Sequence, residues 1–366
     1  MINGLKTRNT RLIRELTKTG SADRKILGVM HTYTRGGLHG AKKCYSNQES
    51  RNVIIMMMDF SSYYPFIMLL YVPWFWSRMT KEEFESALKA RIEAKRNGDK
   101  AKAKKLKTVI NPAYGRARKE NEELGFEICL IGQLLISDLL ERLGEEVSSL
   151  AIIQTNTDGI IVSYKASAQR IVDRVVGSFV NEVNMPLELT RVHRISQQDI
   201  NTYVAEIGET VVVSPGIPRY LQDEDHHTYK VKGVTAADIV KTAIAESIFN
   251  GKDVKYVINS CCDLKEFALT CERQPLRAKG LRWIVQGKAL VLPDEVSVYA
   301  TKDTSCGQVG SIDYTDLFSK LPGTSNHSIA DINGNMTMNL LDKEFYITEA
   351  NRYLQAWNKK GERYNA

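Results

Sequence analysis

The stretch Val53-Ile-Ile-Met-Met-Met-Asp-Phe-Ser-Ser-Tyr-Tyr-Pro-Phe-Ile-Met-Leu-Leu70 is the most apolar segment of the chain and runs on to Trp76, yet it contains one charge, Asp59. Two readings compete: a membrane span with a stray carboxylate, or an acid buried for chemistry. A span needs about 20 apolar residues. Here Asp59, Ser61, Ser62 and Pro65 cluster at the centre. A central Asp costs roughly 2.5–3.5 kcal/mol on insertion, Pro65 breaks a helix that begins before it, and no second apolar span follows. The stretch is therefore predicted to be a strand over Val53 to Met58, buried on both faces. Asp59 stands at its C-terminal end, and the serines and Pro65 turn the chain into a second apolar segment.

The surrounding chain has the composition of a globular protein: 366 residues, 43% hydrophobic and 25% charged. That length suits two or three domains, or one large multi-lobed unit. Six cysteines, Cys44, Cys129, Cys261, Cys262, Cys271 and Cys306, show no CxxC pair or zinc spacing, so reduced thiols are expected. The first twenty residues have no apolar core of a signal peptide. A cytoplasmic protein is expected.

Thr80-Lys-Glu-Glu83 has the form of a capping box. It predicts a helix from there through Arg96, with Asn97-Gly98-Asp99 as a turn and a second helix from near Lys100 to about Tyr114, together a helical hairpin. Between Lys89 and Lys119, twelve basic residues face only Glu93 and Asp99, an excess larger than the +7 of the whole chain. Such a run is either a solvated face or the seat of a polyanion. Gly132 to Leu143 reads as an amphipathic helix. Leu150 to Tyr164 reads as a hairpin turning at Asn156-Thr-Asp-Gly159, and Tyr203–Ile207 with Thr210–Val213 as another hairpin. From about Ala236 helices and short strands mix without evident chemistry.

Asp59 and Asp158 then stand out together. Each alone reads as readily as a turn or capping residue. If the hairpin lies beside the first strand, however, the two carboxylates meet at the rim of one sheet. Oxygen donors without a His or Cys cluster suit Mg²⁺ or Mn²⁺, and two such ions support in-line displacement at phosphorus. On a helix Lys107, Asn111 and Tyr114 share one face, as do Arg91 and Lys95. Basic residues facing inward from two arms would form a triphosphate clamp.

Three of these segments resemble, in order, the motifs of family B DNA polymerases of the phage type. Asp59-Phe-Ser-Ser-Tyr-Tyr-Pro65 resembles motif A, DxxSLYP. Lys107-x-x-x-Asn111-x-x-Tyr114-Gly115 resembles motif B, KxxxNSxYG. Asn156-Thr-Asp-Gly159 resembles motif C, DTDS. The likeness covers about residues 30 to 235. It implies an α+β right-hand architecture with an antiparallel-sheet palm, a helical-hairpin fingers and a C-terminal thumb. The segments would be 1–52, with a Tyr/Gly-Gly template-contact linker; 53–79, palm; 80–118, fingers; 119–240, palm; and 241–366, thumb.

The resemblance also implies residue roles. Asp59 and Asp158 ligate two Mg²⁺ or Mn²⁺ ions, with the Phe60 carbonyl as a further ligand. Backbone amides at Ser61, Ser62 and Tyr63 hold the dNTP triphosphate. Tyr64 lies under the sugar and excludes a 2′-hydroxyl. Arg91, Lys95, Lys107 and Asn111 line the nucleotide site. Tyr114, Gly115, Thr157, Lys232, and the Tyr33, Gly36 and Gly37 of Tyr33-Thr-Arg-Gly-Gly-Leu-His-Gly40 contact primer–template DNA.

The chain departs from the family pattern at Asn156, which replaces the first Asp of motif C, at Pro112 for Ser, which should end or kink the helix after Asn111, at Tyr63 for Leu and at Asn201 for a Lys. No acidic Asp-x-Glu pair precedes motif A, so the expectation is a polymerase core, either a fragment or a natural polypeptide whose exonuclease lies on a separate chain. The expected partners are primer–template DNA, dNTPs and such an exonuclease subunit or other replisome proteins, with no membrane. Two alternatives remain: another palm-type nucleotidyltransferase, primase-like or non-templated, and a polymerase-derived nucleic-acid-binding subunit inactive alone.

Overall fold

A computed structural model describes residues 1–76, 78–208, 210–214, 220–222, 228–230, 236–273 and 278–365, the side chains of 100, 210, 220–222, 228–230 and 363–365 excepted. The chain is α+β with antiparallel sheets and divides into two compact units, Met1–Arg194 and Ile195–Ala366. The division falls inside the segment 119–240 that was expected to be a single stretch of palm.

In the first unit, helices α1 (Ile2–Arg8) and α2 (Thr10–Thr19) precede four strands: β1 (Ser21–Ile26), β2 (Val29–Thr34), β3 (Gly37–Ala41) and β4 (Tyr45–Gln48). The apolar stretch follows as β5 (Val53–Phe60) and α3 (Tyr63–Tyr71). A nine-residue helix rises only about 14 Å, less than half a bilayer core. No helix among the described residues is long and apolar enough to cross a membrane.

Thr80 does cap α4 (Lys81–Arg96). Its side chain accepts from the Glu83 amide at 3.2 Å, and the Glu83 carboxylate accepts from the Thr80 amide at 2.8 Å. Asn97 and the left-handed Gly98 turn the chain, and Asp99 caps α5 (Lys100–Ile110). The second arm stops short of Tyr114, at the Pro112 expected to end or kink it. Pro112 lacks the amide needed to continue a helix and instead opens α6 (Pro112–Glu120) at its first turn. Lys107 and Tyr114 thus sit on different helices, with Asn111 at the junction.

The expected amphipathic helix over 132–143 is longer and of a different kind. α7 (Glu122–Glu146) is buried on every face from Ile128 through Leu140, as a helix apolar all round must be. It forms the centre of the first unit's core with residues of β5, α3 and α8 (Gln169–Val183). Most of its few buried polar groups have partners, although Gln133 Oε1 accepts no hydrogen bond. Asp138 meets Arg8 at 3.0 Å and Arg142 at 2.8 Å, Ser137 bonds the Tyr33 hydroxyl at 2.7 Å, and Gln133 donates to the Thr34 carbonyl at 2.6 Å.

The hairpin over 150–164 is β6 (Ala151–Asn156) and β7 (Gly159–Lys165), with Thr157 and Asp158 as a two-residue loop. The sheet runs β1-β2-β3-β6-β7-β5, and then the beginning of β8 (Leu187–Asp199), which also pairs with β4. β5 is therefore central, between β7 and β8, which explains why a continuous apolar run was needed there.

In the second unit the hairpin β9 (Thr202–Ile207) with β10 (Thr210–Val213) lies close to where expected. A further hairpin, β11 (Tyr220–Gln222) with β12 (Thr228–Lys230), follows. α9 (Asp238–Asn250), α10 (Val254–Ser260) and α11 (Lys343–Asn365) pack around one core. Two small sheets contain β13 (Leu269–Glu272), β14 (Gly280–Val285), β15 (Lys288–Leu292), β16 (Glu295–Ala300), β17 (Cys306–Ile312), β18 (Phe318–Lys320) and β19 (Ser328–Ala330). Their orders are β13-β16-β19 and β15-β14-β17-β18. None of the six cysteines is in a disulfide.

The cap at Thr80 is testable. Removing its hydroxyl in Thr80→Ala should cost about 1 kcal/mol, which is about fivefold faster amide exchange in the first turn of α4 if that turn opens locally. Exchange unchanged from the wild type would show that the cap does not hold the helix.

Candidate functional site

The register of β5 builds the site. Asp59 pairs across to Gly159 on β7 and to Glu188 on β8. Asp158, one residue before Gly159, thereby comes beside Asp59, and its carbonyl accepts from the Phe60 amide at 2.9 Å. Only glycine allows this approach: a Cβ on Gly159 would lie 2.8 Å from the Met58 carbonyl oxygen and 2.9 Å from Asp59 Oδ1. The two predicted acids thus stand at one rim of the sheet.

Electrostatics reflect that crowding. Burial pushes the Asp59 carboxyl up to about 7, and the negative charges of Asp158 and Glu188 add to the effect while Lys95 opposes it. Asp158 is also raised, chiefly by lost solvation, with Lys107 and His39 pulling the other way. Two neighbouring carboxylates, Asp59 half-buried and Asp158 exposed, are hard oxygen donors that suit a divalent cation such as Mg²⁺ or Mn²⁺. Among the described residues no group of three or more His, Cys, Asp or Glu side chains gathers to hold a metal ion, so any donor set here would be this pair with main-chain oxygen.

The serine turn joins this rim to the basic hairpin. Ser62 takes a left-handed conformation, φ 58° and ψ 46°, as the residue before α3. Its hydroxyl accepts from Arg91 on α4. One turn along, Lys95 donates to the Ser61 hydroxyl at 2.8 Å and pairs with Glu188, to which Ser61 also donates. Arg91 and Lys95 therefore do face the motif A turn from one side of α4. The Ser61 amide donates to the Pro186 carbonyl at 3.1 Å and is not open to an anion. First-turn amides of α3 at Tyr63 and Tyr64 lie where a helix leaves them without internal partners.

The aromatics are arranged differently from expectation. Tyr63 is buried, stacked on Phe60 at 4.8 Å, with its hydroxyl donating to the Gly132 carbonyl at 2.6 Å. Its side chain is core. Tyr64 and Tyr114 stack on each other at 4.0 Å and 11°, beside the Cys129 thiol, 3.7 Å from the Tyr64 hydroxyl. One face of each ring is thus already covered by the other. Burial pushes both phenols up, Tyr114 to about 12. Asn111 and Gly115 are exposed at the α5–α6 junction and on α6.

The glycine motif needs one correction. Tyr33, read as a template contact, is fully buried and bonded to Ser137, because β2 places it on the face packed against α7. Gly36 and Gly37 turn β2 into β3. Gly37 lies against the motif C loop: a Cβ there would come within 2.3 Å of Thr157 Oγ1. Lys232 lies outside the described residues.

Reading the sequence missed three participants. Glu188 enters only through the β5–β8 register. His39, on β3, lies near Asn156 and Asp158, because β3 pairs β6 through Gly40–Thr155 and Ala41–Gln154. Cys129 reaches the tyrosine pair from α7. Only the alternation of β3 offered a signal, placing His39 opposite in face to Leu38 and Gly40.

No protein-family model and no curated protein matches this chain.

The raised Asp59 carboxyl gives a pH prediction. The unfolded group ionises near 3.9, the folded one near 7. The folded state is therefore penalised progressively from about pH 4 to 7, and fully above that. In EDTA, Asp59→Asn should melt a few °C above the wild type at pH 8, with the difference shrinking toward pH 4. A difference that stays constant across this range would contradict the assignment.

Proposed function

We propose that the chain is a template-directed DNA polymerase of the family B type, with a right-hand arrangement of palm, fingers and thumb. The observation that supports it most is the convergence of Asp59 and Asp158 at one sheet rim, under a serine turn gripped by Arg91 and Lys95. A pair of acids beside a cationic hairpin is the chemistry of phosphoryl transfer, where positioning and charge stabilisation dominate.

Asp59 and Asp158, with main-chain oxygen at Phe60, hold two Mg²⁺ or Mn²⁺ ions. Bound there, the ions supply charge neutralisation and an activated primer hydroxyl. Arg91 and Lys95 bind triphosphate oxygens as they now bind Ser62 and Ser61. Lys107, whose charge already acts on Asp158, extends the cationic wall along α5. Tyr64, backed by Tyr114, presents a ring edge beneath the sugar and excludes a 2′-hydroxyl. The Gly36–Gly37 turn, packed on Thr157, lets a nucleic-acid backbone approach the motif C loop closely. Pyrophosphate leaves toward α4. The basic excess between Lys89 and Lys119 draws the polyanion.

Primer extension with Mg²⁺ is the test. Asp59→Ala and Asp158→Ala should each reduce extension by at least about 10²-fold. Extension that persists in both variants removes the mechanism, and extension independent of template sequence favours a non-templated nucleotidyltransferase. Separately, Tyr64→Ala should raise ribonucleotide use relative to deoxyribonucleotide by roughly 10–200-fold, the range of a lost steric exclusion. Unchanged discrimination removes the sugar role of Tyr64.

A further inference from the structure

Glu188 has a position that the proposed reaction does not use. It stands beside Asp59 in the β5–β8 register, accepts from the Ser61 hydroxyl and pairs with Lys95 at 2.5 Å. Two of the groups that would meet a triphosphate are thus engaged by a carboxylate. A carboxylate and a phosphate present the same kind of oxygen acceptors to an ammonium and a hydroxyl. Glu188 also places a second negative charge next to Asp59, on the side away from Asp158. Nothing in the fold compels an acid there: β8 is exposed at neighbouring Leu189, and the Lys95 stem reaches the strand from α4.

We infer that Glu188 occupies the phosphate seat of Lys95 and Ser61, and that a triphosphate binds by displacing it. Resting on the polymerase reading of this site, the inference makes Glu188 a determinant of nucleotide affinity. It holds α4 against the serine turn when the seat is empty. It repels the triphosphate until Lys95 exchanges partners, and it favours departure of pyrophosphate once the bond to the primer has formed. The half-exposed pair is weak enough to open.

Calorimetric titration of the full chain with tripolyphosphate in EDTA tests this without primer, template or metal. Glu188→Gln keeps the size of the side chain and an acceptor for Ser61 but removes the charge. It should bind tripolyphosphate about fivefold to tenfold more tightly than the wild type. The gain should vanish in the Lys95→Ala background, where Glu188 no longer occupies an ammonium that the phosphate would take. Circular dichroism confirms that each variant is folded.

Equal affinity of the wild type and Glu188→Gln overturns the inference. So does a gain that survives Lys95→Ala, and so does a lack of binding by every variant. Primer extension reports independently on the polymerase reading. A chain that shows the Glu188 effect but does not extend a primer retains the displaced carboxylate and loses the polymerase. A chain that extends a primer but shows no Glu188 effect does the reverse.

Discussion

The site depends on one backbone constraint: Asp59 and Gly159 are register partners in adjacent strands, with no room for a side chain at the glycine. Because strand register is quantised, a slip of one residue would turn Asp59 to the other face of the sheet. The apolar residues Val53 to Met58 prevent that slip, since they are packed on both faces between β7 and β8. The two-residue loop then leaves Asp158 no position other than beside Asp59. Burial raises both carboxyls, the charges of Asp158 and Glu188 add to the rise at Asp59, and this stored electrostatic cost is what a cation would relieve.

A second layer positions the charges that answer the acids. Ser62 adopts the left-handed conformation and Ser61 is pinned through its amide to Pro186, so the turn presents both hydroxyls to α4. Arg91 and Lys95 reach them because they are one helical turn apart. α7 supports the whole from below: its carbonyl at Gly132 receives Tyr63, its Ser137 and Gln133 hold the β2–β3 hairpin, and that hairpin supports the motif C loop through Gly37 and His39.

Much of this was legible in the sequence, for identifiable reasons. The strand at Val53, the Thr80 box, the Asn97–Asp99 turn and the 151–165 hairpin are local features, set by apolar runs, capping chemistry and turn residues. The pairing of Asp59 with Asp158 followed once those strands were put side by side. Features set by tertiary packing were not legible. The all-round burial of α7 looked like amphipathicity, because Gln133, Ser137, Asp138 and Arg142 are polar yet buried or paired. Tyr33 looked like a surface aromatic, since nothing local shows that its hydroxyl meets Ser137. Glu188 and His39 lie 129 and 119 residues from Asp59 and Asp158 respectively, counted along the chain, and only strand order brings them in. Beyond the β9–β10 hairpin, the second unit has short strands whose pairing no local pattern announces.

The central claim is that Asp59 and Asp158 form one divalent-cation site. Electron paramagnetic resonance of Mn²⁺ titrated into the full chain at pH 8 tests it most directly. The account predicts that bound Mn²⁺ is lost from Asp59→Asn and from Asp158→Asn alike, because each carboxylate is half of a shared donor set. Mn²⁺ bound undiminished by the double variant Asp59→Asn/Asp158→Asn would contradict it.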